Sequence, residues 1–540
     1  MTPITLRRFH LAGSALVLAL AFVATGISAQ TANVGTAAPP VARSTVLRQG
    51  DFISGTLPSA QAIHVVVALK LRSRLLLEAV VAAGQTIKPE QFNADHAPTL
   101  EQAQAVAAYL TRSGFTNVTI APNRMLVSAD GTAAVARAAF QTTFSRVQTR
   151  EGRVGFANDS DAFVPPDLQA SVLSVIGLQN VNVAHSLAIQ TQVITGPAVA
   201  GHNPIEFSAI YGATGVPTAA GVTVGIITIG DLSQTIMDLN TFTDRNGLPR
   251  VATETVNTGG TSGDITGINE WNLDSQTIVG AAGGRVGKII FYNAPTYLNT
   301  ALVADFNTAM TANAAKIINV SLGECETNAQ NDGSAAATDQ ILAAAVAQGQ
   351  TFAIATGDAG ANECAPFPGL KPSWPASSPY AVAVAGTTLN ATASVWNGEV
   401  VWNNPGNGAT GGSPSTFEPK PSWQNALVPG TKRGVADLAF DASPFSGANV
   451  IYFGGIAQIG GTSLATPIFS GLWARVIAVK GTAVGFAAPL LYQLPATDFH
   501  DVTFGNNNGE TAGVGYDFAT GRGSLILNRA IPHIPAPIAK

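Results

Sequence analysis

The sequence predicts an α/β protein in which a smaller α/β unit precedes a large, doubly wound and mostly parallel sheet. From about residue 221 onward, apolar runs alternate with Ala-rich helical runs, an order typical of βαβ units. The predicted strands are apolar on both faces, as a parallel sheet buried between helices requires. With 540 residues, the chain is long enough for more than one domain.

The smaller unit spans roughly residues 46–180. An amphipathic helix is predicted over Thr99–Ser113, where apolar residues recur at helical spacing between a capping Thr and a following Gly. The other elements predicted here are the strands Ile63–Leu69 and Met125–Ser128 and the helix Thr132–Phe140. Residues 181–203 have little periodicity and contain Gly196-Pro197, so we interpret them as a linker.

In the larger unit, strands and helices are predicted in alternation around one large core. The predicted strands are Val222–Ile229, Lys288–Tyr292, Lys316–Leu322, Thr351–Ala355 and Tyr380–Ala385. The predicted helices are Asn269–Ala282, Ala301–Asn313, Ala335–Ala347 and Thr462–Val479.

The N-terminus has the pattern of a secretory signal peptide. Arg7 and Arg8 precede the apolar run Leu11–Val23, and a small residue, Ala29, ends the segment. Residues 1–29 are therefore expected to be removed, and the protein is expected to be secreted. No later apolar run is judged long enough to cross a bilayer, so no membrane association is expected after signal removal.

The overall charge argues against nucleic acid as a partner. The formal net charge is −5, and only 11% of residues are charged, so a basic nucleic-acid-binding surface is not expected. We expect a monomer. Lys and Arg outnumber Asp and Glu by 12 to 10 in residues 30–200, whereas Asp and Glu outnumber them by 23 to 14 in residues 201–540.

Cys325 and Cys364 are the two cysteines of the chain. In an exported protein such a pair favours one disulfide. Two buried free thiols are the alternative.

A candidate nucleophile, Ser463, lies in the Gly-rich segment Gly460–Pro467, at the predicted start of a helix. The positive end of a helix dipole and its free N–H groups can stabilise an oxyanion at such a position. An ordinary helix N-cap is the alternative reading.

A hydroxyl nucleophile needs a base, and the histidines are poorly placed to supply one. His202 is in the linker, while His500 and His533 follow Ser463. Glu270 and Asp274 are instead four residues apart on a predicted helix, where two carboxylates face each other and their pKa values split. A solvated polar helix face is the alternative.

Asp358 closely follows a predicted strand, the position where doubly wound sheets place their active sites. A protonated Asp there could donate a hydrogen bond to a developing oxyanion. The alternative is a common turn Asp at a strand end.

Taken together, these motifs resemble the sedolisin (serine-carboxyl peptidase) family, and the string around Glu270 resembles its pseudomonalisin-like members. The resemblance implies a subtilisin-like peptidase domain with Ser463 as nucleophile, Glu270 as general base, Asp274 orienting that base and Asp358 as the oxyanion residue. Ser321-Leu322-Gly323 resembles the segment that pairs with extended substrate.

Pro89–Phe92 and His96–Pro98 resemble the pro-kumamolisin type of activation prodomain, which is ferredoxin-like and inhibits its own enzyme. The implied organisation is described by five consecutive ranges: a signal peptide at 1–29, a prodomain at 30–180, a linker with the processing site at 181–203, a peptidase domain at 204–530 and a tail at 531–540.

A C-terminal loop carries a candidate metal site. Two carboxylates and the carbonyls of a Gly-rich loop suit Ca²⁺, and the resembled family has a calcium site here. The implied ligands of this one structural ion are the carboxylates of Asp501 and Asp517 and the carbonyls of Val502, Gly513 and Gly515. An Asn/Gly-rich surface loop is the alternative.

The sequence therefore predicts a secreted, self-activating endopeptidase that acts on proteins and peptides in acid. A carboxylate base works best at acidic pH, and Asp358 must stay protonated. Two alternatives remain at this point: a conventional Ser-His peptidase, and a secreted binding or adhesion protein without catalytic activity.

Overall fold

The computed structural model describes residues 39–194, 201–392 and 394–536, and the side chains of 191–194 are not considered. The predicted signal peptide, part of the predicted linker and the last four residues lie outside these ranges.

The N-terminal unit contains seven strands and four helices. They are β1 Phe52–Thr56, β2 Ala62–Leu69, α1 Arg74–Ala82, α2 Pro89–Asp95, α3 Leu100–Arg112, β3 Thr116–Ile120, β4 Leu126–Thr132, α4 Ala133–Phe140, β5 Phe144–Gln148, β6 Val154–Asn158 and β7 Val172–Ile176. β2, β3, β4 and β7 form an antiparallel sheet in the order β3-β4-β2-β7. This is the ferredoxin-like arrangement that the sequence predicted.

The predicted helix at Thr99–Ser113 is confirmed as α3, and its N-terminus explains why it forms. Thr99 Oγ1 accepts the backbone N–H of Gln102, whose side chain accepts the N–H of Thr99. This capping box satisfies two N–H groups that the helix leaves unpaired.

Strand β2 is buried on both faces. Val65 and Val67 point into the core of the N-terminal unit, whereas Val66 and Ala68 belong to the main core of the C-terminal unit. Because side chains alternate along a strand, this one strand joins the two cores. The N-terminal unit is therefore packed tightly against the C-terminal unit.

The C-terminal unit begins after the linker. Its elements are α5 Phe207–Ile210, β10 Ala219–Ile229, α6 Ser233–Arg245, β11 Thr253–Asn257, α7 Ile268–Ala281, β12 Val286–Ala294, α8 Asn299–Ala312, β13 Ile317–Val320, β14 Leu322–Cys325, α9 Glu326–Asp332, α10 Ser334–Ala347, β15 Thr351–Ala355, β16 Ser373–Trp374, β17 Val382–Thr392, β18 Val395–Val401, β19 Ser413–Pro419, β20 Lys432–Val435, β21 Leu438–Asp441, β22 Ala448–Tyr452, β23 Gly455–Gly460, α11 Thr462–Lys480, α12 Ala487–Gln493, β24 Phe499–His500, β25 Ser524–Leu525 and α13 Leu527–His533. They are numbered after two linker strands, β8 His185–Ser186 and β9 Ile189–Ile194.

The main sheet has eight strands in the order β11-β12-β10-β13-β15-β17-β18, with β21 also paired to β17. Every pair is parallel except β17 with β18. The prediction of a doubly wound, mostly parallel sheet is confirmed.

One predicted strand is wrong in its extent. The run Lys316–Leu322 divides into β13 and β14 on either side of Ser321, whose hydroxyl donates a hydrogen bond to Asp274. β14 then leaves the main sheet and forms a separate small sheet with β16 and β8.

The predicted linker is more regular than its composition indicates. β8 pairs with β14 and β9 pairs with β23, both antiparallel. The two linker strands form because they pair with strands of the C-terminal unit. A local sequence pattern cannot reveal such long-range pairing.

The expectation that no apolar run after the signal peptide is long enough to cross a bilayer also needs correction. Among the described residues, α11 is long and apolar enough to span a bilayer by length and composition, with a mean hydropathy of 1.3. However, 89% of that segment is buried inside the fold, as expected for a core helix.

Candidate active site

Ser463 lies at the start of α11, where a sharp turn joins β23 to the helix. Gly461 forms that turn with a φ of 102°, a conformation that favours glycine. The Ser463 side chain is fully buried, and its hydroxyl has the Glu270 carboxyl as a hydrogen-bonding neighbour, in a contact looser than an ordinary hydrogen bond. It is thus held at a helix N-terminus without being used as a structural cap.

Glu270 and Asp274 lie one turn apart on α7, which packs against α11, and both are fully buried. The indole N–H of Trp271 donates to the carbonyl of Ile229 at 2.8 Å and fixes the helix on the sheet. Burial and the facing Asp274 raise the pKa of Glu270 well above its usual value, although the neighbouring Ser463 hydroxyl lowers it. A solvated polar face is therefore excluded.

Asp274 is held from the side opposite Glu270. Ser321 Oγ donates to its Oδ1 at 2.6 Å, and Asn319 donates to the Ser321 hydroxyl at 3.1 Å. Burial raises the pKa of Asp274 to about 8. Glu270 Oε1 and Asp274 Oδ2 make no hydrogen bond of ordinary geometry with the described residues, so each carboxyl keeps one oxygen available for a proton.

Asp358 follows β15 and contacts the residue before the candidate nucleophile. Its Oδ1 accepts hydrogen bonds from the N–H and the hydroxyl of Thr462, both at 2.8 Å. Its Oδ2 is buried and has no partner among the described residues. Burial raises the pKa of Asp358 to about 7, so below that pH this oxygen carries a proton that can be donated.

The structure thus brings together all four predicted catalytic residues. Interactions between charges connect Glu270 with Asp274 and with Asp358, and Ser463 is a neighbour of Glu270. Because α7, α11 and the loop after β15 come from separate parts of the chain, only the fold assembles this site.

The linker occupies the site, which sequence reasoning did not predict. The backbone N–H groups of Leu187 and Ala188 donate to Glu270 Oε2 at 2.8 and 2.7 Å. A Cβ at Gly461 would clash with the Leu187 carbonyl oxygen and would lie 2.7 Å from Asp358 Oδ2. The Leu187 carbonyl is therefore next to the candidate oxyanion residue.

Glu363, like Leu187 and Ala188 of the linker, lies near the site and was not singled out by the sequence analysis. It follows Asp358 by five residues and accepts the N–H of Ala359 at 2.8 Å. Its carboxylate lies so close to Gly357 that a Cβ there would clash with it. Burial, with a contribution from Asp358, raises the pKa of Glu363 well above its usual value.

The two cysteines form a disulfide, as predicted, with Cα atoms 4.6 Å apart. It joins β14, which pairs with the linker, to the loop that carries Asp358 and Glu363. The alternative of two free thiols is wrong.

The contacts of His202, His500 and His533 support no pairing with Ser463. His202 contacts Glu206 at 3.1 Å, and His533 contacts Asp498 at 2.7 Å. The His500 ring stacks on Trp396, with centroids 3.7 Å apart, and burial lowers its pKa to about 4.

The predicted calcium loop brings its two carboxylates to one short segment. Asp501 Oδ2 accepts the N–H of Gly515 at 2.9 Å, and Asp517 Oδ2 accepts the N–H of Gly513 at 3.2 Å. Burial raises the pKa of Asp517, a cost that a bound cation would offset. Within the described residues no cluster of three or more His, Cys, Asp or Glu could hold a metal, but the predicted site needs only two carboxylates besides carbonyls.

Comparisons with known proteins place this site in a class. The family described as "Pro-kumamolisin, activation domain" matches residues 53–181, and the family described as "Subtilase family" matches residues 263–485. The fold and site therefore define a serine peptidase of subtilisin-like fold that is made with an activation prodomain.

Individual relatives are more specific. The chain is 45% identical over 518 residues to sedolisin from Pseudomonas sp. (strain 101), covering 88% of each chain. It is 43% identical over 537 residues to xanthomonalisin from Xanthomonas sp. (strain T-22), covering 86% of this chain and 65% of that protein. The chain belongs to the sedolisin family of serine-carboxyl peptidases.

A solved structure agrees with this assignment. Pseudomonas sedolisin, a serine-carboxyl proteinase complexed with two molecules of pseudo-iodotyrostatin, matches with a TM-score of 0.60 at 46% sequence identity. The match covers 63% of this chain and 99% of that chain. The alternative of a binding or adhesion protein without catalytic activity is therefore wrong.

Proposed function

We propose that this chain is the precursor of a secreted endopeptidase that hydrolyses proteins and peptides at acidic pH with Ser463, Glu270 and Asp274 as its triad. The observation that carries the proposal is that the buried Ser463 hydroxyl lies against Glu270, one of a buried pair of carboxyls.

The reaction is acyl transfer. Ser463 Oγ attacks the scissile carbonyl carbon while Glu270 accepts the hydroxyl proton. Glu270 then gives this proton to the leaving amine, and a water molecule hydrolyses the acyl-enzyme with Glu270 again as base. Asp274 holds Glu270 through a shared proton, because two buried carboxyls that face each other cannot both be ionised.

Asp358 supplies the electrostatic stabilisation. When protonated, its Oδ2 is a hydrogen-bond donor beside the place where the oxyanion forms. With its pKa raised to about 7, Asp358 is protonated in acid and loses this proton as the pH rises through that value. This supports an upper limit near pH 7 for activity.

The N-terminal unit is the intramolecular inhibitor, and we propose that acid starts its removal by self-cleavage. The prodomain side is weakly basic and the peptidase side is acidic, so their attraction weakens as carboxylates become protonated. At the interface, the Arg74 guanidinium of α1 donates to Asp339 Oδ2 of α10 at 3.2 Å.

The C-terminal loop is proposed to hold one structural Ca²⁺ through the carboxylates of Asp501 and Asp517 and the carbonyls of Val502, Gly513 and Gly515. The donor set of hard oxygens suits this ion, and the ion would neutralise two carboxylates that the fold brings together.

The test is digestion of casein by the full-length protein after incubation at pH 4, with Ser463→Ala as the control. We expect digestion by the wild type and none by the variant. Equal digestion by both, or digestion by the wild type at neutral pH alone, would contradict the proposal. The secreted and monomeric states are tested by fractionating the culture and by light scattering.

A further inference from the structure

The linker crosses the active site as an extended segment that pairs on both sides. Upstream, His185 pairs with Gly323 and Ser186 pairs with Leu322. Downstream, Ile189 pairs with Gly460, and this pairing continues along β23. A peptide that a protease binds by strand addition makes main-chain contacts of this kind.

The two paired stretches leave only Leu187 and Ala188 between them. Their N–H groups are the two that donate to Glu270 Oε2, and the Leu187 carbonyl oxygen lies beside Gly461, near Asp358 Oδ2. The peptide bond between these residues is thus bracketed by the proposed base, the proposed oxyanion residue and the start of the helix that carries the nucleophile.

We propose that Leu187–Ala188 is the peptide bond that the precursor cuts first when it activates itself. This inference rests on the proposed function and names its first substrate. It places an apolar side chain directly before the scissile bond and a small one directly after it.

The side chains of the linker support this direction and register. Leu187 is 3% exposed, and its Cδ1 lies against Gly323, where a Cβ would be 3.2 Å from it. Ala184, three residues upstream, is also buried and borders a cavity lined by Leu302, Phe306 and Trp374. His185 between them is exposed and Ser186 is partly buried, so Ala184 and Leu187 are the two side chains of this stretch that the cleft covers most fully.

The step balances with water as the second reactant. Ser463 Oγ bonds to the Leu187 carbonyl carbon, the bond from that carbon to Ala188 N breaks, and the Ser463 proton reaches Ala188 N through Glu270. Water then hydrolyses the ester, which gives a carboxylate at Leu187 and returns a proton to Ser463. Glu270 Oε2 accepts the N–H of Ala188 at 2.7 Å, so the base is already within reach of the leaving nitrogen.

The experiment is a time course of the full-length precursor at pH 4, followed by intact mass and N-terminal sequencing. We expect the earliest products to be a fragment that ends at Leu187 and one that begins at Ala188, with a rate independent of precursor concentration. An earliest cut at another bond would overturn this inference while leaving the proposed function intact. Processing of Ser463→Ala at the wild-type rate would overturn both.

Two variants test the bond independently. Leu187→Asp puts a charge where the side chain is buried, so the first cut should slow at least tenfold or move to another bond. The matched control Leu75→Asp changes a residue of α1 that is 81% exposed and should process normally. Leu187→Met, which folds with little change in volume, should keep the cut at the same bond. If Leu187→Asp is cut at the same bond and at the wild-type rate, the inference is wrong.

Discussion

The backbone N–H of Ala188 donates a hydrogen bond of 2.7 Å to Oε2 of Glu270, 82 residues later in the chain. The same oxygen accepts the N–H of Leu187. The acid proposed as general base is therefore covered by the protein's own linker. In this arrangement a single segment blocks the site and is presented to it as a substrate.

The proposed role of Asp358 predicts how activity depends on pH. Its pKa of about 7 means that the donor is present below that pH and is lost above it. Activity on a chromogenic peptide should therefore fall as the pH rises through about 7. Asp358→Asn, whose amide donates at every pH, should move this alkaline limb upward.

Asp358→Ala lacks a donor altogether and should lower kcat about 10²- to 10³-fold, the usual loss for one oxyanion donor. If the alkaline limb of the pH profile is the same in Asp358→Asn as in the wild type, and Asp358→Ala keeps full activity, the proposed role of Asp358 is wrong.

The ion pair between Arg74 and Asp339 predicts how acid loosens the prodomain. Asp339 also accepts the Ser378 hydroxyl, and its pKa is raised to about 6 by burial, with the Glu78 carboxylate adding to the rise. As the pH falls through about 6, Asp339 becomes neutral and the attraction to Arg74 is lost. Arg74→Ala should therefore speed self-processing at pH 7.

Because Arg74 is half-exposed, this gain should be about two- to fivefold and should vanish at pH 4. Arg112→Ala, which changes an exposed Arg of α3, is the control. Equal processing rates of Arg74→Ala and the wild type at pH 7 would show that this pair does not hold the prodomain.

The calcium proposal predicts a metal-dependent melting temperature. Ca²⁺ at 100 times its Kd would stabilise the folded state by about 2.7 kcal/mol. In a protein of this size EDTA should then lower the Tm of the Ser463→Ala precursor by about 2–3 °C. Asp517→Asn should abolish the response to EDTA, whereas Asp167→Asn in the prodomain should keep it. If EDTA leaves the Tm unchanged, the calcium proposal is wrong.

Asp305 predicts a change of stability with pH outside the active site. It is buried, its contact with the Thr258 hydroxyl is looser than an ordinary hydrogen bond, and burial raises its pKa to about 8. Between pH 4 and 8 the folded protein keeps a proton that the unfolded chain releases, so this group lowers stability as the pH rises.

Asp305→Asn removes that linkage. It should stabilise the Ser463→Ala precursor at pH 8 by at least about 1 kcal/mol, or about 1 °C in Tm, and should give no gain at pH 4. The control Asp95→Asn changes an exposed residue and should leave the Tm unchanged at both pH values. A gain of equal size at both pH values would contradict the assignment.

The four residues of the candidate site could be singled out by local patterns taken together with the family resemblance. Glu270 and Asp274 share a helix face by their spacing, Ser463 lies in a Gly-rich helix start, and Asp358 follows a buried strand. The four helices predicted around them agree with the structure to within two residues, whereas the strand predicted to end at Ala385 continues as β17 to Thr392. α6 was not predicted, because its sequence is mostly polar and lacks a side-chain cap.

The parts that sequence reasoning missed depend on distant contacts. Leu187 and Ala188 have no motif, and β8 and β9 exist because β14 and β23 offer free strand edges. The break at Ser321 arises from its hydrogen bond to Asp274, which is 47 residues away. Glu363 is buried beside Asp358 by a loop that the disulfide at Cys364 restrains.

The central claim is that a carboxylate, Glu270, is the general base, and Glu270→Gln tests it most directly. The measurement is kcat/KM for peptide hydrolysis at pH 4, with circular dichroism and Tm to verify folding. Glu254→Gln, which changes a half-exposed residue of β11, is the control and should keep normal activity. We predict that Glu270→Gln folds and loses at least about 10³-fold in kcat/KM, because the amide cannot accept the Ser463 proton. A folded Glu270→Gln protein with activity near that of the wild type would contradict the account.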